Sequence, residues 1–233
     1  MDMATGTLSI HAKSGRLTEV KSFIVIMASL VTSIAQAELY DWSPDASHHA
    51  AVVRVTTPSG SAGSGVYVTQ GDLPFVLTAA HVTEGSTSAS VTFLGGQTGR
   101  GTCTADRSGA DISAILTGPI DGVTPVAIAQ SDPQDGLEIC GFGGPLRGFR
   151  HFLCRLTDRG QQIITGNGKV TYGDSGGPWF VEGELVGIQS TGANPSTQVQ
   201  SFDIFTTCHS AQTHLIRDFA KRLHERFCQQ GGS

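Results

Sequence analysis

The sequence predicts an all-β protein: two six-stranded antiparallel β-barrels in tandem, closed by one C-terminal α-helix. Beyond residue 37 the apolar runs are short and end in Gly, Pro, Ser or Asp, the pattern of strands joined by tight turns. A stretch rich in Pro, Asp and Gly, 117–135, parts these runs into two sets of six. Helical spacing of apolar residues is convincing only in the tail. Composition agrees, since 30 glycines and 15% charged residues suit many turns and few long helices. With 39% apolar residues among 233, the chain can bury a substantial core.

The first segment, 1–37, reads as a signal peptide rather than part of the fold. Lys13, Arg16 and Lys21 precede an apolar run from Phe23 to Ile34, and Ala35-Gln36-Ala37 supplies a small-residue cleavage site. The run is shorter than the roughly 20 residues a spanning helix needs. The expected location is therefore secreted or periplasmic, with no stable membrane insertion after signal removal. A net charge of −5 gives no electrostatic reason to bind nucleic acid.

Residues 38–120 are expected to form the first barrel, with strands at 51–56, 65–69, 75–79, 89–94, 100–105 and 111–116. Ala89, Val91 and Phe93 alternate with Ser90 and Thr92, so one face of that strand is buried and the other wet. Residues 121–233 form the second barrel, with strands at 137–141, 152–157, 162–165, 179–181, 185–191 and 199–206. Leu215, Ile216, Phe219, Leu223 and Phe227 then mark one face of a closing helix packed on that barrel, with Ser210 able to cap its start.

Three short segments carry chemistry. Gly173-Asp174-Ser175-Gly176-Gly177-Pro178 sets a hydroxyl in a glycine-rich turn, where backbone N–H groups can face a reacting carbonyl. A serine hydroxyl also needs a base to become nucleophilic. Leu77-Thr78-Ala79-Ala80-His81 runs an apolar strand into small residues and then an imidazole. Gly109-Ala110-Asp111-Ile112 opens another apolar strand with a carboxylate, which is costly to bury without a partner such as an imidazole N–H. Asp106 competes for that role, but Arg107-Ser108-Gly109 after it reads as an exposed turn. Gly173-x-Ser175-x-Gly177 also fits the nucleophile elbow of α/β-hydrolases, which demands a helix after the serine. Pro178-Trp179-Phe180-Val181 reads as a strand, against that alternative.

Taken in the order His81, Asp111, Ser175, these segments resemble the three signatures of trypsin-like (chymotrypsin-fold) serine peptidases. Gly63-Ser64-Gly65, Cys140-Gly141-Phe142-Gly143 and Ser190-Thr191-Gly192 resemble further segments of that family. The resemblance implies a serine endopeptidase acting on protein or peptide substrates, with no metal or organic cofactor. In it Ser175 is the nucleophile, His81 the base and Asp111 the orienting acid, and the amides of Gly173 and Ser175 form the oxyanion hole. Ser190, Thr191 and Gly192 hold the substrate backbone. Lys169 and Asp203 fall at the base of the specificity pocket, either as an ion pair, singly as charge readers, or outside the pocket altogether. A catalytically silent trypsin-like fold acting as a binding module is the alternative.

The departures from the family pattern are informative. Val82 and Thr171 stand where vertebrate members carry cysteines, so their disulfide pattern is missing. There is no basic cleavage site followed by an Ile-Val-Gly-Gly start, so Asp174 lacks the family's new amino-terminal partner and another group is expected to satisfy it. Such features are closer to compact bacterial members. Among the five cysteines, Cys140 and Cys154 fall on consecutive strands and could be bridged if their Cα atoms lie within about 7 Å. His48-His49 could bind a metal, but reads rather as an exposed polar segment.

Overall fold

The computed structural model describes residues 47–133, 137–143, 148–154, 156–159, 163–166, 170–193, 207–211 and 213–231. Residues 1–37, expected to be a signal peptide, and Lys169 and Asp203, expected at the specificity pocket, lie outside the described residues.

A 3-10 turn, Ser47–Ala51, leads into six strands: β1 (Val52–Thr56), β2 (Ala62–Gln70), β3 (Leu73–Thr78), β4 (Ser88–Phe93), β5 (Thr98–Ala105) and β6 (Ser113–Leu116). They close into an antiparallel barrel in the order β1-β2-β3-β6-β5-β4. β4 alternates as its sequence dictates, with Ala89, Val91 and Phe93 inside and Ser90 and Thr92 outside. Val66, Phe75, Leu77, Val91 and Ile115 fill the barrel with no exposed surface. β2 is buried along most of its length, because it also touches strands of the second sheet.

The second set comprises β7 (Leu137–Gly141), β8 (Arg150–Cys154), β9 (Leu156–Arg159), β10 (Ile163–Gly166), β11 (Pro178–Val181), β12 (Glu184–Ala193) and β13 (Thr207–Ala211). Their order is β8-β7-β11-β12-β13-β10-β9, all pairs antiparallel. Among the described residues this sheet has seven strands; the run expected at 152–157 is divided between β8 and β9. The strand expected at 199–206 lies outside the described residues, and the described strand there begins at Thr207.

The connector ties both sheets together: Val126 N donates to Tyr67 O at 3.0 Å and Ala129 N to Leu185 O at 2.9 Å. Trp179 on β11 is fully buried, and its indole N–H donates to Gln189 Oε1 at 3.0 Å. Trp179→Ala is expected to cost about 3–5 kcal/mol through the cavity it leaves and the stranded amide. A denaturant midpoint unchanged from wild type would contradict this.

Helix α1 is a single turn, Ala80–Thr83, and α2 spans Thr213–Gly231. Ile216, Phe219, Ala220 and Leu223 bury the inner face of α2, whereas Phe227 is 53% exposed and lies beyond the packed stretch. Ser210 does not cap this helix. It sits in β13, its hydroxyl accepting from Ile188 N, while Asp132 Oδ1 of the connector accepts from Thr213 N at 3.0 Å. The helix also reaches beyond the second sheet, touching β2 and pairing Arg222 with Asp106 of the first barrel at 3.0 Å. No helix among the described residues is long and apolar enough to cross a membrane.

The expected Cys140–Cys154 bridge is not formed. β7 and β8 pair Cys140 with His151 and Leu137 with Cys154, so the two cysteines are three register positions apart. At roughly 3.4 Å per position, this exceeds disulfide reach.

Candidate active site

β3 carries Phe75, Val76 and Leu77 in the barrel core, and the small residues Ala79 and Ala80 let the chain emerge into α1 with His81 at its surface. The His81 side chain is 42% exposed. Its Nδ1 meets Asp111 Oδ2 at 2.7 Å, and its backbone N–H donates to Asp111 Oδ1 at 3.0 Å. One carboxylate thus fixes both the ring and the peptide behind it. With Nδ1 as the donor, Nε2 is left with a free lone pair.

Asp111 stands just ahead of β6, in the loop that Asp106 and Ile112 close with a backbone bond of 2.8 Å. Ser190, on β12 of the second sheet, donates its hydroxyl to Asp111 Oδ2 at 2.5 Å. Burial alone would raise the Asp111 pKa, but the hydrogen bonds from His81 and Ser190 outweigh it and bring the carboxyl to about 2. Asp111, not Asp106, meets the imidazole, yet the burial argument for choosing between them was reversed. The Asp106 side chain is 4% exposed, covered by Arg222 of α2, whereas that of Asp111 is 28% exposed.

The Gly173–Gly177 turn is held between the two sheets. Ser64 N donates to Ser175 O at 2.7 Å, Gly176 N to Gln189 O at 2.6 Å and Gln189 N to Gly177 O at 2.7 Å. The Ser64 hydroxyl donates to Gly173 O at 2.6 Å. Among the described residues the amides of Gly173 and Ser175 donate to no partner, which leaves two N–H groups beside the Ser175 hydroxyl. Gly176 has φ +84°, and a Cβ there would press on Thr78 Oγ1, the Ser64 carbonyl and the Ala79 amide. Gly176→Ala is expected to destabilise the protein by about 2–4 kcal/mol, from left-handed strain plus backbone collision. A melting temperature equal to wild type would refute this.

These contacts set the Ser175 backbone against residues that flank His81. A Cβ on Gly63 would fall 2.7 Å from both the Ser175 carbonyl oxygen and a Val82 methyl. The Gly173–Gly177 turn therefore packs against Gly63, Ala79 and Val82, close along the chain to His81. Ser190, expected in the strand that holds the substrate backbone, turns its hydroxyl to Asp111. Thr191 and Gly192 continue β12, with Gly192 paired to Cys208. An open cavity lined by His81, Glu84, Ser86, Thr87, Cys103 and Asp111 lies on the first-barrel side.

Asp174 is 1% exposed. Its expected alternative partner is Arg150 of β8, Nη1 lying 3.4 Å from Oδ2, and Thr171 N donates to the same oxygen at 2.9 Å. Burial raises its pKa to about 6, against the lowering effects of Arg150 and the Thr171 and Gly143 amides. A folded pKa above the unfolded value means that this group's contribution is fully present below about pH 4 and is lost as pH rises through about 6. Arg150→Met is expected to destabilise by about 3–5 kcal/mol at neutral pH, where the carboxylate is left charged, and far less near pH 4. Equal losses at both pH values, measured by denaturant unfolding, would show that Arg150 acts by packing alone.

Sequence reading missed a second cluster. His48 and His49 are not an exposed segment: the His49 side chain is 2% exposed, and both rings meet Glu138 at 2.7 Å. Glu138 lies on β7, about ninety positions away, so no local spacing marks the pairing.

No curated protein sequence matches the chain. Many solved structures are similar to it, three of them over most of its length. One is a serine-to-alanine mutant of Rv3671c from M. tuberculosis H37Rv in an inactive form: 19% identity, TM-score 0.55, 73% of this chain and 85% of that one. A serine endoprotease from Yersinia pestis gives 19% identity and TM-score 0.63, covering 78% and 68%. The HtrA-type protease AlgW with a decapeptide gives 15% identity and TM-score 0.61, covering 76% and 65%. At these identities the likeness establishes the chymotrypsin-like double-barrel fold. The model of the trypsin-like peptidase domain matches residues 63–188, from the strand that touches the Ser175 turn to the strand that closes over it. Over more than half its length, then, this chain belongs to the trypsin-like peptidase family of serine endopeptidases.

Proposed function

We propose that the protein is a secreted endopeptidase that hydrolyses peptide bonds of protein substrates through Ser175, His81 and Asp111. One observation carries the reading: Asp111 accepts both N–H groups of His81, on the barrel wall against which the Ser175 turn is packed. Ser175 Oγ attacks the scissile carbonyl while His81 Nε2 takes its proton. Asp111 keeps the ring in the tautomer that makes Nε2 basic and stabilises the imidazolium that forms. The amides of Gly173 and Ser175 face the oxyanion, consistent with their having no acceptor among the described residues. The imidazolium returns its proton to the leaving amine, and water then releases the acyl group by the same steps in reverse. β12 backbone at 190–192 is the proposed seat for the substrate chain. Export rests on the basic flank, short apolar run and Ala-x-Ala of residues 1–37.

A fluorophosphonate probe tests the chemistry directly. It should label wild type at Ser175 and leave His81→Ala essentially unlabelled. Equal labelling of the two proteins would remove His81 as the base.

A further inference from the structure

Away from the triad, three imidazoles converge on one carboxylate. His48 Nε2 lies 2.7 Å from Glu138 Oε2, His49 Nε2 lies 2.7 Å from Glu138 Oε1, and His151 Nδ1 lies 2.9 Å from the same Oε1. We propose that His48, His49 and Glu138 form a site for one divalent transition-metal ion of the zinc class, with His151 holding Glu138 in place.

The donor set selects the ion. Two imidazole nitrogens and a carboxylate oxygen suit Zn2+ and its neighbours, whereas Ca2+ and Mg2+ prefer oxygen donors alone. One ligand atom from each of the three residues lies within 4.8 Å of the others. Donors about 2.0–2.1 Å from a tetrahedral ion stand about 3.4 Å apart, so small side-chain rotations suffice to admit it. The ion replaces the hydrogen bonds that His48 and His49 now give Glu138. His151 keeps its own bond to the carboxylate, the outer-shell contact that fixes a ligating group.

The surroundings have the form of a built site. The His49 ring is buried, and among the described residues its Nδ1 and His151 Nε2 have no hydrogen-bond partner, so Glu138 is the hydrogen-bond partner shown for each ring. Phe180 packs edge-on to His48 at 4.7 Å, and Phe149 stacks against His151. The side chains of His48 and Glu138 keep 18% and 19% exposure, leaving an approach from solvent and room for a water as fourth ligand. Bound there, the ion clamps the 3-10 turn that leads into β1 onto β7 of the second sheet. His151 also neighbours Arg150, the partner of Asp174, so the clamp and the nucleophile turn share β8.

The test is Zn2+ calorimetry on the full chain, repeated with Co2+ for its visible absorption. Wild type should bind one equivalent, with the spectrum of a low-coordinate nitrogen–oxygen site and a raised melting temperature. The near-isosteric Glu138→Gln and the partly exposed His48→Ala should each weaken binding at least about 100-fold, and His151→Phe about 10-fold. The buried His49 is left intact, so that a folding defect does not obscure the result. Absence of stoichiometric binding overturns the proposal. So does affinity unchanged in both Glu138→Gln and His48→Ala, or loss of binding only in His224→Ala, which would place the ion at the His224–Asp72 pair.

Discussion

Ser175→Ala is expected to lower kcat on a protein substrate by about 10^5–10^6-fold, with KM and melting temperature near wild type. The loss is large because base and nucleophile act as one unit: without Oγ, His81 has no proton to take and no acyl-enzyme forms. What survives is the oxyanion donors and substrate binding, worth about 10^3–10^4-fold over water. The fold should be indifferent, since the Ser175 backbone, rather than its hydroxyl, makes the contact with Ser64. Mass-spectrometric mapping of cut sites in a denatured substrate, wild type beside Ser175→Ala, provides the check. Retention of the same cuts at more than a few per cent of the wild-type rate would dismiss Ser175 as nucleophile.

Asp111→Asn should reduce kcat by about 10^4-fold without moving the backbone. The carboxylate accepts from His81 Nδ1, from His81 N and from the Ser190 hydroxyl. An amide can present only one oxygen to these three donors. Its NH2 group facing the ring would make Nδ1 the acceptor, place the proton on Nε2 and so occupy the lone pair that catalysis needs. Ser190→Ala separates the contributions: it removes one of the two side-chain bonds to Oδ2 but leaves the tautomer intact, so a loss of about 10-fold or less is expected. Equal losses in the two variants would mean that Ser190 has a role beyond supporting Asp111. A wild-type rate in Asp111→Asn would separate Asp111 from the chemistry.

The parts that could be read from sequence are those encoded in contiguous residues. Ala89, Val91 and Phe93 alternate in the chain as they do in β4, and Leu77 through His81 is one strand ending in one ring. Gly173 through Pro178 announces its own turn. What escaped depends on register and on contacts between distant elements. The Cys140–Cys154 bridge failed because antiparallel pairing set Cys140 opposite His151, a fact of turn length rather than of residue type. Asp106 looked exposed because its cover, Arg222, arrives on a helix 116 residues later. The bond from the Ser190 hydroxyl to Asp111 joins residues 79 positions apart, and no local spacing marks it. Glu138 alone in a strand gave no hint that His48 and His49 would fold onto it.

The cation beside Asp174 comes from β8, which pairs with β7 in an antiparallel hairpin. In relatives that rely on a freshly cut amino terminus, an upstream protease decides when the active turn sets. Here the cation that faces Asp174 is a side chain of the sheet itself, so this contact with the turn requires no cut amino terminus.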